Sequence, residues 1–258
     1  MTGLEVVVCI FAGIGAGIGT GFAGLSAAAF ISPMLVVFLG YDAYSAVGIA
    51  LISDVLASAV SAITYGRQKN IDLKNGLLMM VLVIIFTLVG SYVGSLMPTS
   101  TLGGFSLAMT VILGVKFILK PIQGADELGE KKQRTKAQQL TLVFIFSIII
   151  GMFCGVVGAG GGMMMLLVLT SVMHYDLKKA VGTSVMIMTL TALSGALAHF
   201  AIDGAPDWGI LAVCVASTLV AAQISAIIAN KSKPKTLSYV TGAVLIILGI
   251  IMIIFNFI

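Results

Sequence analysis

Asp54 is a carboxylic acid in the middle of an apolar run, nine residues into the stretch 45–65. If that stretch is a helix rising 1.5 Å per residue, the carboxyl lies roughly 14 Å deep. A carboxyl at membrane depth is costly, and it generally faces a cavity and carries function. It can carry a proton, or it can hold sodium together with carbonyls and the hydroxyls of Ser53 and Ser58. The alternative without transport chemistry is a protonated carboxyl bonded to a neighbouring helix. The second group is a pair of glycine-rich breaks, GIGAGIGTGFAGLS at 13–26 and GVVGAGGG at 155–162. Glycine is poor in a helix interior and allows left-handed or unwound backbone. Inside a membrane, such backbone is tolerated only where it is buried in protein or lines a wet cavity. A helix beginning there aims free N–H groups and the positive end of its dipole inward, an anion site without a formal charge. Gly158, Gly160, Gly161 and Gly162 are the sharpest candidates, with Gly24 and Ser26 at the corresponding place in the first break. Gly13, Gly17 and Gly21, spaced by four, instead suit close packing between helices.

Other polar residues fall at membrane depth. Thr183 and Ser184 carry small hydroxyls that bind an oxyanion or bond back to their own helix. Gln223 stands midway along another apolar stretch, as a donor to an anion or a link between helices. Tyr65 and His199 fall near opposite membrane faces and are gate candidates, His199 also as a proton relay. Asp42 and Asp176 each precede an apolar stretch and read as helix N-caps. Trp208 reads as an interfacial anchor, and Pro33 is expected to bend its helix by removing a backbone bond.

These residues need elements to hold them, and the composition says which. Hydrophobic residues make up 59% of the 258 and charged residues 9%, against about 25% charged in a soluble domain. The chain therefore reads as an all-α polytopic membrane protein. The net charge of +4 reflects basic loops rather than an affinity for nucleic acid. Cys9, Cys154 and Cys214 lie in apolar stretches without metal-ligand spacing, so no metal site, disulfide or cofactor is expected. Glu5 stands where a signal peptide would need basic residues, so none is expected.

Residues 17–65 align without a gap on 151–199, a shift of 134. Gly17, Gly21 and Gly24 fall on Gly151, Gly155 and Gly158; Tyr41-Asp42 falls on Tyr175-Asp176; Ala46-Val47-Gly48 falls on Ala180-Val181-Gly182. Each half divides into five apolar segments: 3–21, 24–39, 45–65, 75–97 and 101–119, then 138–156, 159–173, 179–201, 208–229 and 235–257. The expected organisation is an N-terminal repeat over 1–119, a cytoplasmic linker over 120–137 and a C-terminal repeat over 138–258. Lys and Arg cluster at 67–74, 116–136, 178–179 and 231–235, and every loop that is basic in one half is free of Lys and Arg in the other. The positive-inside rule then gives two inverted-topology repeats with both termini outside. The second segment of each half is short: 159–173 spans roughly 22 Å as a helix against a core of about 30 Å. Eight full spans plus two re-entrant hairpins, or ten spans with short members, both fit.

This pattern resembles the TauE/SafE sulfite exporter family, also called the 4-toluene sulfonate uptake permease family. The residues that carry the resemblance are the duplicated glycine breaks, especially GVVGAGGG, the Tyr-Asp and Ala-Val-Gly that follow, and Thr183-Ser184. The resemblance implies transport of sulfite, sulfonates or related organosulfur anions across a prokaryotic cytoplasmic membrane. The first half departs from the duplicated pattern. Leu25-Ser26-Ala27-Ala28 stands where the second half has Ala159-Gly160-Gly161-Gly162, and Met188 stands opposite Asp54.

The expected function is secondary transport of a small anion coupled to a proton or sodium gradient. The second-half glycines, Thr183, Ser184 and Gln223 would hold the anion, and Asp54 would couple. A passive anion channel is the alternative, but it leaves Asp54 without a task. An intramembrane serine hydrolase would pair Ser26 with His199, which requires hydrogen-bond contact. No nucleotide-binding motif is present, so the chain cannot itself use ATP.

Overall fold

The computed structural model describes residues 1–98, 136–158, 161–175 and 177–232, with scattered positions in 101–119 and after 234. Gly160, Asp176 and residues 120–135 of the linker lie outside the described residues, as do most of the segments expected at 101–119 and 235–257. The described elements are all helical. They are α1 (Gly3–Ala23), a 3-10 turn (Ala27–Ala29), α2 (Ile31–Leu39), α3 (Ala43–Arg67) and α4 (Leu73–Ser95), then α5 (Lys136–Val157), α6 (Gly161–Ser171), α7 (Leu177–Asp203) and α8 (Trp208–Lys231). Six of them are long and apolar enough to cross a membrane.

Local chemistry sets the ends. Thr2 and Glu5 form a capping box at the start of α1. The Asp42 carboxylate accepts from the Tyr44 and Ser45 N–H groups and starts α3, and Asp207 does the same for α8. Left-handed glycines stop α1 at Gly24 (φ 63°) and α2 at Gly40 (φ 67°). Pro33 does not bend a helix: it falls in the first turn of α2, where its missing N–H has no intrahelical partner to lose. Trp208 is well exposed at the start of α8. On α4, Leu77, Leu78, Val81, Ile85 and Leu88 face outward while Met79, Met80, Val83 and Thr87 are buried. An apolar outer face is what a lipid-facing helix requires.

Contacts recur at the shift of 134. α1 packs along α8 in parallel: Gly13 lies against Ser217, Gly17 against Thr218 and Ala221, and Gly21 against Ala222 and Ser225. Their counterparts α5 and α4 pack in the same manner, with Gly151 on Phe86 and Val83 and Gly155 on Thr87 and Ser91. α3 crosses α7 so that Gly48 meets His199 and Gly182 meets Tyr65. Glu5, Asp42, Asp203 and Asp207 gather at one end of the bundle. Arg67, Lys69, Lys74, Lys178, Lys179 and Lys231 gather at the other with Asp72.

Each half opens with a hairpin. α1 enters from the acidic end and reaches the level of Tyr65, whose hydroxyl donates to the Gly21 carbonyl at 3.2 Å. The chain reverses at Gly24 and returns through the 3-10 turn and α2 to the acidic end. α5 and α6 do the same from the basic end. The return legs α2 and α6 hold nine and eleven residues, about 14 and 16 Å, half a membrane core.

The parallel seams are tight enough to test. A Cβ at Gly17 would stand 2.5–2.6 Å from Thr218 O, Ala221 Cβ and Ala222 N. Gly17→Val should therefore destabilise the detergent-solubilised protein by roughly 1–3 kcal/mol or more through overpacking. Gly3→Ala, with nothing within 4 Å, should leave the melting temperature unchanged. Fluorescence-detected size exclusion after heating measures both, and a Gly17→Val protein as stable as the parent would contradict this seam.

Candidate functional site

Asp54 sits near the middle of α3 and is buried, with 1% exposure. Its Oδ2 lies 2.8 Å from the Ser26 hydroxyl, and its Oδ1 has no hydrogen-bond partner. The Ser26 hydroxyl also lies 2.8 Å from the Gly158 carbonyl and receives the Ala28 N–H at 3.3 Å. One side chain of the first bend thus ties the coupling candidate to the bend of the second half. Among the described residues no cation is paired with Asp54.

The two bends touch reciprocally. Gly158 (φ 69°) is the counterpart of Gly24 and presses on Ala28, while Gly162, the counterpart of Ala28, presses on the Gly24 carbonyl. Around this junction Ser26, Leu51, Asp54, Cys154, Gly158, Gly162, Met188, Thr191 and Ala192 enclose a cavity of about 10 Å3. That is room for one water at most, too little for a sulfur oxyanion. Asp54 and Met188, equivalent in the repeat, line the same cavity.

The other candidate residues distribute around this centre. Gly161 lies against the Cys154 sulfur. Ser184 packs its hydroxyl over Gly24 and donates to its own helix at Val181 O, 2.9 Å. Thr183 points to the basic end, where its hydroxyl accepts the Asp72 N–H at 3.0 Å. Gln223 receives Thr64 of α3 at 3.4 Å. Ser53 and Ser58 donate to helix carbonyls at Ile49 and Asp54 rather than to the Asp54 carboxyl. Tyr65 braces the α1 carbonyl of Gly21, and its counterpart His199 lies between the carbonyls of Gly155 (2.9 Å) and Tyr44 (3.1 Å), stacked on the Tyr44 ring. Gly160 lies outside the described residues. Ser26 and His199, the pair a hydrolase needs, make these separate contacts and do not meet.

Cys154, Met188 and Thr191 line the cavity without having been picked out from the sequence. The signal for Met188 was its equivalence to Asp54. Thr191 follows it by three residues, which puts both on one helix face. All three cysteines are buried and free.

The comparisons with known proteins agree with this architecture. The profile of the sulfite exporter TauE/SafE family matches residues 9–252. The chain is 25% identical over 246 residues to the probable membrane transporter protein YunE of Bacillus subtilis (strain 168), covering 90% of this chain and 89% of that protein. It is 25% identical over 219 residues to the probable membrane transporter protein YdhB of the same organism, covering 83% and 86%. It is 22% identical over 250 residues to the probable membrane transporter protein MJ0441 of Methanocaldococcus jannaschii, covering 92% and 88%. With nearly its whole length matched by one family of multi-pass membrane transporters, the chain belongs to the TauE/SafE sulfite exporter family.

Proposed function

We propose that the chain is a secondary transporter that moves a small sulfur-containing anion, such as sulfite or a sulfonate, together with a proton held at Asp54. The observation that carries this reading is a hydrogen-bond count. The Ser26 hydroxyl has a single proton and two buried acceptors at 2.8 Å, the Asp54 carboxyl and the Gly158 carbonyl. A proton on Asp54 resolves the conflict: the acid donates to Ser26, and Ser26 donates to Gly158. An ionised Asp54 without a paired cation is a buried charge that a shared hydroxyl and the nearby Ala27 N–H do not offset. The anion sits against the bends at Gly158 and Gly162 when the cavity widens, with the neutral Asp54 acid beside it rather than a repelling carboxylate. Tyr65 and His199 hold the carbonyls at the inner ends of α1 and α5, so a movement of either hairpin passes through them. The two halves act as inverted repeats that expose the site alternately. The basic end lies in the cytoplasm of a prokaryotic cell, with both termini outside.

The test is flux in proteoliposomes with a panel of sulfite, sulfonates, sulfate and phosphate, under separate proton and sodium gradients. The expected result is accumulation of a sulfur anion driven by the proton gradient alone. Accumulation driven only by sodium, or mere equilibration under every gradient, would overturn the coupling.

A further inference from the structure

In the duplicated Tyr-Asp motif the first aspartate, Asp42, is a helix N-cap, and the two tyrosines stand at corresponding hairpin ends. Tyr41 follows the left-handed Gly40 at the end of α2, and Tyr175 follows the left-handed His174 at the end of α6. Each closes its return leg with the same backbone bond, Tyr41 N to Leu35 O and Tyr175 N to Leu169 O. Each then sends its hydroxyl across to the other half. Tyr41 donates to Asp207 Oδ2 at 3.2 Å, and Tyr175 donates to Asp72 Oδ2 at 2.7 Å. The two acceptors are the residues immediately before the equivalent helices α8 and α4.

We infer that Tyr41–Asp207 and Tyr175–Asp72 are the two gates of the transport cycle, one at each end, released in turn. Each latch joins the outer tip of a hairpin leg to a helix of the opposite half, and the inner ends of both legs adjoin the cavity at Asp54. With both latches closed, as here, Asp54 is buried. Releasing one lets its leg swing away from the opposite half while the other stays shut.

The two latches differ in strength. At the acidic end, a long bond joins half-buried Tyr41 to exposed Asp207, with the Ser45–Asp203 contact beside it. Burial and the adjacent Asp207 push the Tyr41 phenol up to about 12, so it remains a donor at physiological pH. The N–H groups of Ile210 and Gly209, with Tyr41, hold the Asp207 carboxyl below the usual range, so it remains an acceptor. At the basic end, Lys179 lies 3.4 Å from the same Asp72 oxygen and 4.6 Å from the Tyr175 ring centroid, and Thr183 holds the Asp72 backbone. The Tyr41 gate is the one that opens more readily.

This inference rests on the transport reading. Cys154, which lines the cavity, is a native reporter. Sealed vesicles of each orientation are treated with a charged, impermeant methanethiosulfonate, and labelling of the Cys154 peptide is followed by mass spectrometry. Tyr41→Phe should raise Cys154 labelling from the acidic end by about tenfold, as the open population grows, and leave the other side unchanged. Tyr175→Phe, or Asp72→Asn should the former not fold, should do the reverse. Tyr41→Cys with Asp207→Cys, bridged by a bis-methanethiosulfonate linker, should stop flux until a reductant releases it. Unaltered sidedness in the single variants, or full flux through the bridged protein, overturns the gates. Failure of the transport reading shows separately, as parent protein that accumulates no sulfur anion under any gradient.

Discussion

Asp54→Asn should abolish proton-driven accumulation, lowering the rate by roughly 100-fold or more, about 2.7 kcal/mol, while anion binding should change by no more than a few fold. Asparagine keeps the shape of the side chain, and its amide donates to Ser26 as the protonated acid does, so the Ser26–Gly158 bond survives. It cannot release a proton. The site is thus fixed in the neutral condition in which the anion is held, and the gradient has nothing to act on. The variant should fold at least as stably as the parent, because it removes a buried ionisable group that has no paired cation. Flux of radiolabelled anion and equilibrium binding on the same preparation separate the two effects. Retained proton-driven uptake would remove Asp54 from the coupling, and lost binding would place it in the anion seat instead.

Gly162→Val should eliminate transport and weaken anion binding by about tenfold or more. A Cβ at this position would run into the Gly24 carbonyl and stand 2.5 Å from the Met188 sulfur. The carbonyl is backbone and does not give way cheaply, whereas the flexible Met188 side chain can shift. Overpacking of this kind costs about 1–3 kcal/mol, and here the strain falls on the junction of the two bends. Gly162→Ala should show the same loss in milder form, which separates a blocked seat from a collapsed fold. A Gly162→Val protein that elutes as the parent does and binds sulfite normally would show that the anion sits elsewhere. Gly161 is the less informative neighbour, since its side chain would meet Cys154.

The sequence made the scaffold readable where chemistry depends on spacing along the chain. A carboxyl among apolar residues singled out Asp54. Spacing by four placed Gly13, Gly17 and Gly21 on one seam, and Asp42 before an apolar run gave a helix cap. The structure shows the seam and the cap in those terms, and it buries Asp54. What depends on rotation about a helix axis was harder to see. Thr183 and Ser184 are neighbours in sequence, yet about 100° apart around α7, so one reaches the loop at the basic end and the other covers Gly24. Gln223 is polar at membrane depth, but its oxygen faces Thr64. Pro33 was read without its register in the helix, which decides whether it bends a helix or begins one. The cavity-lining sulfurs of Cys154 and Met188 gave no signal of their own, since buried sulfur is ordinary core material.

The reciprocal touch between the bends, Gly158 on Ala28 and Gly162 on Gly24, bears on the resting orientation of the molecule. In a transporter whose halves were identical, exchanging their conformations would turn one facing state into the other at no difference in free energy. The two orientations would then be degenerate and equally populated without a gradient. Here the exchange sets an alanine against a glycine, Asp54 against Met188, and the Tyr41–Asp207 latch against one reinforced by Lys179. Each mismatch lifts the degeneracy, and every 1.4 kcal/mol of imbalance shifts the ratio of the two states by about tenfold. On the proposed transport cycle, the idle protein has a preferred orientation, written into the places where its two copies no longer agree.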